Sequence, residues 1–302
     1  FTTMVPWTQT NKELVVVTPL EPDIRAKEIK LKMTTQEVSL VVRATEIFQG
    51  KLFLPIKPDD STWEIEDAPK GGRQLRIGMA KAKPNQPWDC LFMDEIDDSI
   101  TVRCFMDISI GGVDVGRIVY GLHGNALPKT VENFRCLCTG EKGVAKVTKK
   151  ITLKLHYKGC AFHRVVPPFI CQGGDLTRDP QGRGGMSIYG EPFDDENFKI
   201  KHTGRGQLLM ANFGVANNNH SQFAIAMQKI SEFETKHVIF GKVLEGMDVL
   251  ESMMFEGSGE GYTARPVIIE DCGELDSNGN PIEELGSLSL EDEDDGPVLE
   301  SQ

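Results

Sequence analysis

The stretch Phe162-His163-Arg164-Val165-Val166-Pro167-Pro168-Phe169-Ile170-Cys171-Gln172-Gly173-Gly174-Asp175 decides the fold of the C-terminal half of this chain. Apolar and charged side chains alternate around Arg164, which indicates a β-strand, and the chain returns towards Gln172 before paired glycines end the run. Arginine is a fixed cation whose planar donors can address a carbonyl or an amide without titrating. An apolar pocket with one such donor suits an uncharged, proline-like ligand. The alternative is an ordinary strand with a surface arginine.

Further landmarks lie in order on both sides of this stretch. They are Gly116-Arg117-Ile118, Pro128-Lys129-Thr130-Val131-Glu132-Asn133-Phe134, Thr139-Gly140-Glu141-Lys142-Gly143, Tyr157-Lys158-Gly159-Cys160, Ser187-Ile188-Tyr189-Gly190, His202-Thr203-Gly204, Met210-Ala211-Asn212, Ser221-Gln222-Phe223 and Lys236-His237-Val238-Ile239-Phe240-Gly241-Lys242-Val243. With them, the chain from about Phe105 to Leu275 resembles the cyclophilin family of peptidyl-prolyl isomerases. That many ordered matches are far more specific than one short motif.

The resemblance implies a closed eight-stranded β-barrel with a helix over each open end. The sequence supports both helices. Apolar residues recur at helical spacing after Pro128, and Gly140 follows as a stop signal. A second apolar stripe predicts a helix from about Gly246 to Phe255.

The resemblance also implies a set of site residues. Arg164 would be the catalytic cation, with Gln172 and the backbone of Asn212 holding the peptide on either side of it. Phe169, Ile170 and Phe233 would line the proline pocket, and Gly182, Ala211 and Gln222 the adjoining groove for the residue before proline. His237 would close one rim, and the alternative is a histidine packed before the strand that follows it.

Two positions depart from the family pattern. Ala224 stands where most cyclophilins carry a second phenylalanine, so the pocket floor loses most of a ring's contact area. Glu232 stands where the family usually has the tryptophan that helps to grip the drug cyclosporin. We therefore expect weak cyclosporin binding and a weaker apolar grip on proline, with the electrostatic part of the site retained.

The N-terminal half is a series of short alternating runs. They include Ile29–Met33, Val38–Val42, Leu52–Ile56, Trp63–Ile65 and Leu75–Met79, separated by turn residues. Period-two alternation of this kind is typical of an antiparallel β-sandwich.

The motifs Trp7-Thr8-Gln9-Thr10, Gly50-Lys51-Leu52, Lys57-Pro58-Asp59-Asp60-Ser61-Thr62-Trp63-Glu64-Ile65-Glu66-Asp67 and Pro87-Trp88 resemble the CS domain, and within it the nuclear-distribution (NudC-like) proteins. That fold has no enzymatic activity and typically binds chaperones or their clients. We expect Trp63 to face the sandwich core, and Trp7 and Trp88 to join the ends of the domain. A short acidic junction, 91–100, predicts that the two domains pack against each other.

Composition narrows the remaining possibilities. Nine of the twelve excess negative charges of the 302-residue chain lie in 276–302, a segment without lysine or arginine that we expect to be disordered. The chain lacks the basic patch of a nucleic-acid binder and any apolar run long enough for a membrane helix. Seven scattered cysteines indicate buried thiols in a reducing compartment. Cys136 and Cys138 have no second ligand pair, so we expect no metal and no cofactor.

The sequence therefore predicts three parts, a CS-like domain over 1–97, a cyclophilin domain over 101–275 and an acidic tail over 276–302. The leading hypothesis is a peptidyl-prolyl isomerase for protein clients that the CS domain, or a partner of it, delivers. The alternative is a weakly catalytic or non-catalytic proline-binding scaffold. Expected partners are proline-containing clients and a heat-shock chaperone or a dynein-associated or other cytoskeletal complex, in the cytoplasm or on the cytoskeleton.

Overall fold

The structure, a computed structural model, describes residues 5–146 and 152–282. Its N-terminal part contains a four-stranded sheet in the order β1-β2-β7-β6 and a three-stranded sheet in the order β3-β4-β5, and every strand pair is antiparallel. The strands are β1 Trp7–Gln9, β2 Glu13–Leu20, β3 Ile29–Met33, β4 Glu37–Val42, β5 Thr45–Lys51, β6 Ile56–Asp67 and β7 Arg73–Lys81. Alternate side chains of both sheets meet in one apolar core, as the sandwich prediction requires.

One local prediction in this half is wrong, and a second is confirmed only for the face on which the side chain lies. Leu52, Phe53 and Leu54 form no strand, and all three are buried between β5 and β6. The Trp63 side chain lies on the same face of its sheet as its register partner Ile77, which is in the core, but it is 39% exposed. It lies on β6, which is the edge strand of its sheet, and its ring is not among the side chains that pack on the core.

Trp7 and Trp88 do join the ends of the N-terminal part. The side chain of Gln9, on β1, accepts a hydrogen bond from the Trp88 N–H at 3.1 Å and donates one to the Trp88 carbonyl at 3.0 Å. Trp88 is buried and Trp7 packs against the same core. Gln9 is therefore the polar clamp between the two termini of this unit.

The C-terminal part contains an eight-stranded antiparallel sheet in the order β12-β13-β15-β14-β16-β9-β8-β17, two helices and a small hairpin, β10-β11. The elements are β8 Val102–Ile110, β9 Val113–Leu122, α1 Pro128–Thr139, β10 Val144–Lys146, β11 Thr152–Lys154, β12 Arg164–Val166, β13 Ile170–Gly173, β14 Gln207–Met210, β15 Phe223–Ala226, β16 Ile239–Glu245, α2 Met247–Glu256 and β17 Val267–Leu275. A short 3-10 helix, Ser231–Phe233, lies between β15 and β16. Two others, Ala26–Glu28 and Met93–Glu95, lie before β8.

Both predicted helices are present. Gly140 follows α1 with a φ of 80°, a left-handed conformation that glycine adopts without strain. α1 packs against β8 and β17, and α2 against β9, β12 and β13. Phe134 of α1 inserts into the core, with its ring 5.2 Å from those of Phe223 and Phe240.

The prediction of a closed barrel is not confirmed, because the sheet is curled but open between its edge strands. β12 and β17 form no ladder with each other. The segment just before β12 approaches β17 instead, through an isolated bridge between Ala161 and Ile268 and hydrogen bonds such as Phe162 N–H to the Val267 carbonyl at 2.9 Å. β12 is only three residues long, so it ends before a regular ladder can form.

The junction between the halves is ordered. The side chain of Asn125 donates to Asp97 at 2.7 Å, and His123 Nδ1 donates to the Asp98 carbonyl at 2.6 Å. The Phe198 N–H donates to Asp89 Oδ2 at 2.8 Å, which joins the two halves directly. The expectation that the halves pack against each other is confirmed.

The first residues of the expected disordered tail, 276–282, are ordered. The Asp276 carboxylate accepts hydrogen bonds from the backbone N–H groups of Asn278 and Asn280, and the Ile282 N–H donates to the Glu274 carbonyl at 2.9 Å. Residues 276–282 therefore fold back on β17. The remainder of the tail, 283–302, lies outside the described residues.

Candidate active site

The polar side chains of the predicted site form one directional chain of hydrogen bonds. Arg164 and Gln172 are register partners on β12 and β13, and Arg164 Nη1 donates to Gln172 Oε1 at 3.2 Å. Gln172 Nε2 donates to Gln222 Oε1 at 3.0 Å. Gln222 Nε2 donates to the carbonyls of Gly182 and Gly184 at 2.8 and 2.7 Å. Each amide is oriented by the hydrogen bond that it donates to the next group. The exposed guanidinium of Arg164 is therefore hydrogen-bonded to a side chain whose orientation is fixed.

The loop that accepts the last hydrogen bonds of this series requires glycine at position 182. Gly182 has a φ of +62°, and a Cβ built there would lie 2.0 Å from Nε2 of His163. Both the backbone conformation and the histidine ring therefore exclude a side chain. Gly182 contributes its carbonyl to Gln222 as well as a lining surface to the groove.

The predicted apolar residues form a second group beside the polar chain. Ile170, Ala224, Phe169 and Phe233 belong to one cluster. Their neighbours there are Leu209, Ala226, Ile230, Ile239, Val166 and Ile200. The rings of Phe169 and Phe233 are 5.4 Å apart at their centroids, a tilted contact.

Ala224 connects the two groups. It pairs in register with Gln172 on one side and with Leu209 on the other, and it is only 2% exposed. The small side chain therefore does not leave an open floor, because the surrounding cluster encloses it.

Two further predicted residues lie on the far side of Phe233. His237 packs edge-on against that ring at 4.7 Å, and its Nδ1 is 3.0 Å from the Met210 carbonyl. A carbonyl can only accept, so the Nδ1 carries the proton and Nε2 is an acceptor. Burial lowers the pKa of His237, which favours this neutral form. His237 is thus both packed before β16 and part of a rim.

Asn212 is the second of these residues. Its carbonyl accepts hydrogen bonds from Val215 N–H at 3.0 Å and Asn218 Nδ2 at 3.3 Å, and its own side chain donates to the Lys236 carbonyl. With that carbonyl engaged, the backbone N–H is the group of Asn212 that suits a peptide. Asn212, Phe233 and His237 line a groove of about 460 Å³ together with Glu232.

A separate groove of about 520 Å³ lies beside Arg164, and it contains residues that the sequence did not single out. Phe213 and Tyr262 line it together with Gln172 and Gly182. Phe213 is 48% exposed and has a φ of 56°, a conformation that is rare for an aromatic residue. The only sequence signal for it is its position in Asn212-Phe213-Gly214. The last predicted residue, Ala211, is buried next to the same region, and its N–H donates to the Gln222 carbonyl.

One group among the described residues has the composition of a metal site. Ligand atoms of Glu132, Cys136 and Glu141 lie within 4.8 Å of one another. The guanidinium of Arg135 donates to both carboxylates at 2.8–3.0 Å and lowers the pKa of Glu141 to about 2. Arg135 therefore already supplies the positive charge. Cys138, which the sequence offered as a second metal ligand beside Cys136, is buried like the other six cysteines.

Two protein-family models match the chain, one in each half. The model "Cyclophilin type peptidyl-prolyl cis-trans isomerase/CLD" matches residues 105–274, more than half of the chain. The chain belongs to the cyclophilin family. A second model, "CS domain", matches residues 4–88. The more specific NudC-like resemblance stays a prediction.

As a cyclophilin, the chain brings its predicted site residues together in three adjoining groups. These are the polar chain from Arg164 to Gly182, the apolar cluster around Phe233, and the groove beside His237. In the described part of the chain, no helix is long and apolar enough to cross a bilayer.

Proposed function

We propose that this cyclophilin catalyses cis–trans isomerisation of X-Pro bonds in protein clients. The observation that carries the proposal is Arg164, an exposed cation whose orientation Gln172 sets, next to the apolar cluster of Phe169 and Phe233. An apolar surface for a proline ring and a fixed donor for its peptide bond are thus adjacent.

The reaction requires no covalent step. Rotation about an X-Pro imide is opposed by a barrier of roughly 18–20 kcal/mol, because resonance keeps the bond planar. In the twisted state the proline nitrogen becomes pyramidal and regains its lone pair. A donor near that nitrogen stabilises the twisted state far more than the planar one, and this difference accelerates the rotation. Arg164 is the group that would donate, while the Asn212 N–H and Gln172 hold the flanking peptide.

Replacement of Arg164 tests the proposal. We expect Arg164→Ala to lower kcat/KM for short X-Pro peptides at least tenfold, equivalent to about 1.4 kcal/mol of lost transition-state stabilisation. Arg103→Ala is the matched control, since Arg103 lies on β8 and its ion pair to Glu245 is long, 3.9 Å. A protease-coupled isomerisation assay provides the rates. Equal rates for the parent and Arg164→Ala would exclude this role for Arg164.

A specific observation favours the second candidate, a proline-binding scaffold. Phe233 contacts Phe169 directly and Ala224 is enclosed, so the apolar surface available to a proline ring is restricted. On this alternative, calorimetry would detect binding of X-Pro peptides by the parent, and isomerisation would remain at the uncatalysed rate with or without Arg164.

The N-terminal half supports a role in delivering clients. A CS domain has no catalytic chemistry, and we propose that residues 1–97 bind a heat-shock chaperone, or a dynein-associated or other cytoskeletal complex, or the client itself. The unit 101–275 would be the isomerase, and 276–302 an acidic extension. A role in protein folding, in the cytoplasm or on the cytoskeleton, belongs to the same proposal. Co-precipitation of the protein with each of these candidate partners would test it.

A further inference from the structure

A short segment, Phe198–His202, lies between the CS half and the cyclophilin half. The CS side holds it at two points. The Phe198 N–H donates to Asp89 Oδ2 at 2.8 Å, and Lys201 Nζ lies 3.5 Å from the centre of the Phe53 ring. Phe53 is itself buried in the CS core and meets Trp88 edge-on at 6.2 Å. The segment is therefore anchored to a rigid part of the N-terminal half.

The same segment faces the proline site on its other side. His202, the next residue after Lys201, is 1% exposed, and its ring lies edge-on to Phe233 at 6.0 Å. Its Nδ1 accepts the Ile230 N–H at 3.1 Å. Ile200 packs against both the main barrel core and the apolar cluster that contains Phe233. One face of the segment thus contacts the CS half and the other supports the pocket wall.

His202 is held by few polar contacts. Because Nδ1 accepts, its proton is on Nε2, and this buried Nε2 has no hydrogen-bond partner among the described residues. Burial lowers the pKa of His202, so the ring remains neutral. Its position depends on packing and on the backbone of its neighbours. Gln207 fixes that backbone by donating to the Lys201 carbonyl at 2.8 Å, and the Lys201 side chain then extends to Phe53.

We propose that the CS half is a positioning element for the proline pocket. Phe53 and Asp89 hold the Phe198–His202 segment in place, and His202 in turn holds Phe233 against Phe169. The consequence for activity rests on the proposed isomerase function, but the mechanical link itself does not. In this view Lys201 and His202 are positioning residues that need not touch the substrate.

The direct test is amide hydrogen exchange at Ile230 in the full chain, because its N–H binds His202. We expect Phe53→Leu and Asp89→Ala each to speed exchange at Ile230 at least fivefold. The matched control is Phe48→Leu, since Phe48 is equally buried in the CS core but packs on Phe92, away from the segment. The Met210 amide, which binds the Val238 carbonyl, should be unchanged in all three variants and reports on global opening.

The second readout is kinetic. For a short X-Pro peptide we expect Phe53→Leu to raise KM about three- to tenfold with little change in kcat, and Phe48→Leu to leave both unchanged. Unaltered exchange at Ile230 in Phe53→Leu, or the same increase in Phe48→Leu, would overturn the positioning proposal. If Phe53→Leu speeds exchange at Ile230 but the parent neither binds nor isomerises X-Pro peptides, the proposed function is contradicted and the mechanical link stands.

Discussion

Ala224 lies between Gln172 and Leu209 in the sheet, at the floor of the predicted proline pocket. The sequence alone suggests that an aromatic floor is missing at this position. In the structure Ala224 is 2% exposed, and Phe233 contacts Phe169 over the same cluster. The two rings occupy the pocket region, so an added ring would have to displace one of them.

We therefore expect Ala224→Phe alone to destabilise the protein by about 1–3 kcal/mol through overpacking. Combining it with Phe233→Ala moves the aromatic ring from the wall to the floor with no change in total side-chain volume. The double variant should recover most of that stability and turn over X-Pro peptides faster than the parent. Thermal melts beside the isomerisation assay measure both effects. If Ala224→Phe alone is as stable as the parent, the cluster has enough free volume for the added ring.

Individual site residues were predictable to the extent that their role follows from local pattern. The pairing of Arg164 with Gln172 follows from two short alternating strands, and their side chains do meet. Phe213 was not predictable, because its exposure depends on a left-handed backbone conformation in a loop. Local sequence carries the strand periodicity but not the loop geometry that exposes an aromatic ring.

At the scale of elements, the 3-10 helix Ser231–Phe233 sets the shape of one groove. It presents Glu232 to the groove beside His237 and directs Phe233 into the apolar cluster. A carboxylate in this position offers neither apolar area nor a hydrogen-bond donor to an apolar ligand. An indole would offer both.

We expect cyclosporin to bind the parent weakly and Glu232→Trp to recover at least tenfold in affinity, about 1.4 kcal/mol. Ser231→Trp, on the same turn but outside the groove lining, is the control and should recover nothing. Isothermal calorimetry measures all three proteins. Tight binding by the parent would mean that the turn does not correspond to the cyclosporin contact of other cyclophilins.

Elements were predictable where their signals are local. α1 is marked by Pro128 and Gly140, and its bounds match those signals. Closure of the barrel was not predictable in the same way, because it depends on contact between β12 and β17, which are about one hundred residues apart. Trp63 shows the same limit, since alternation places a side chain on a face but does not reveal that its strand is at an edge.

In the whole molecule, the tryptophans and the histidines are divided between the halves. All three tryptophans lie in the CS half and all six histidines in the cyclophilin half. Burial is the main cause that lowers the pKa of every histidine, namely His123, His156, His163, His202, His220 and His237. The halves contact each other through Asp89 with Phe198 and through Phe53 with Lys201.

This division predicts how stability depends on pH. A histidine with a lowered pKa binds its proton less readily in the folded than in the unfolded chain, so its stabilising effect is complete above the unfolded pKa, about 6.5, and is lost as the pH falls below it. Between pH 7.5 and 5.5 the cyclophilin half should therefore lose stability, and the CS half, which has no histidine, should not.

Urea unfolding at the two pH values measures this difference. Far-UV circular dichroism, which detects both halves, should show a transition at lower urea at pH 5.5, while the transition in tryptophan fluorescence, which reports the CS half, should move little. His202→Asn keeps an acceptor near the position of Nδ1 for the Ile230 N–H but cannot take up a proton, so it should reduce the pH dependence of the first transition. Equal shifts in both signals would mean that the contacts between the halves make them unfold together.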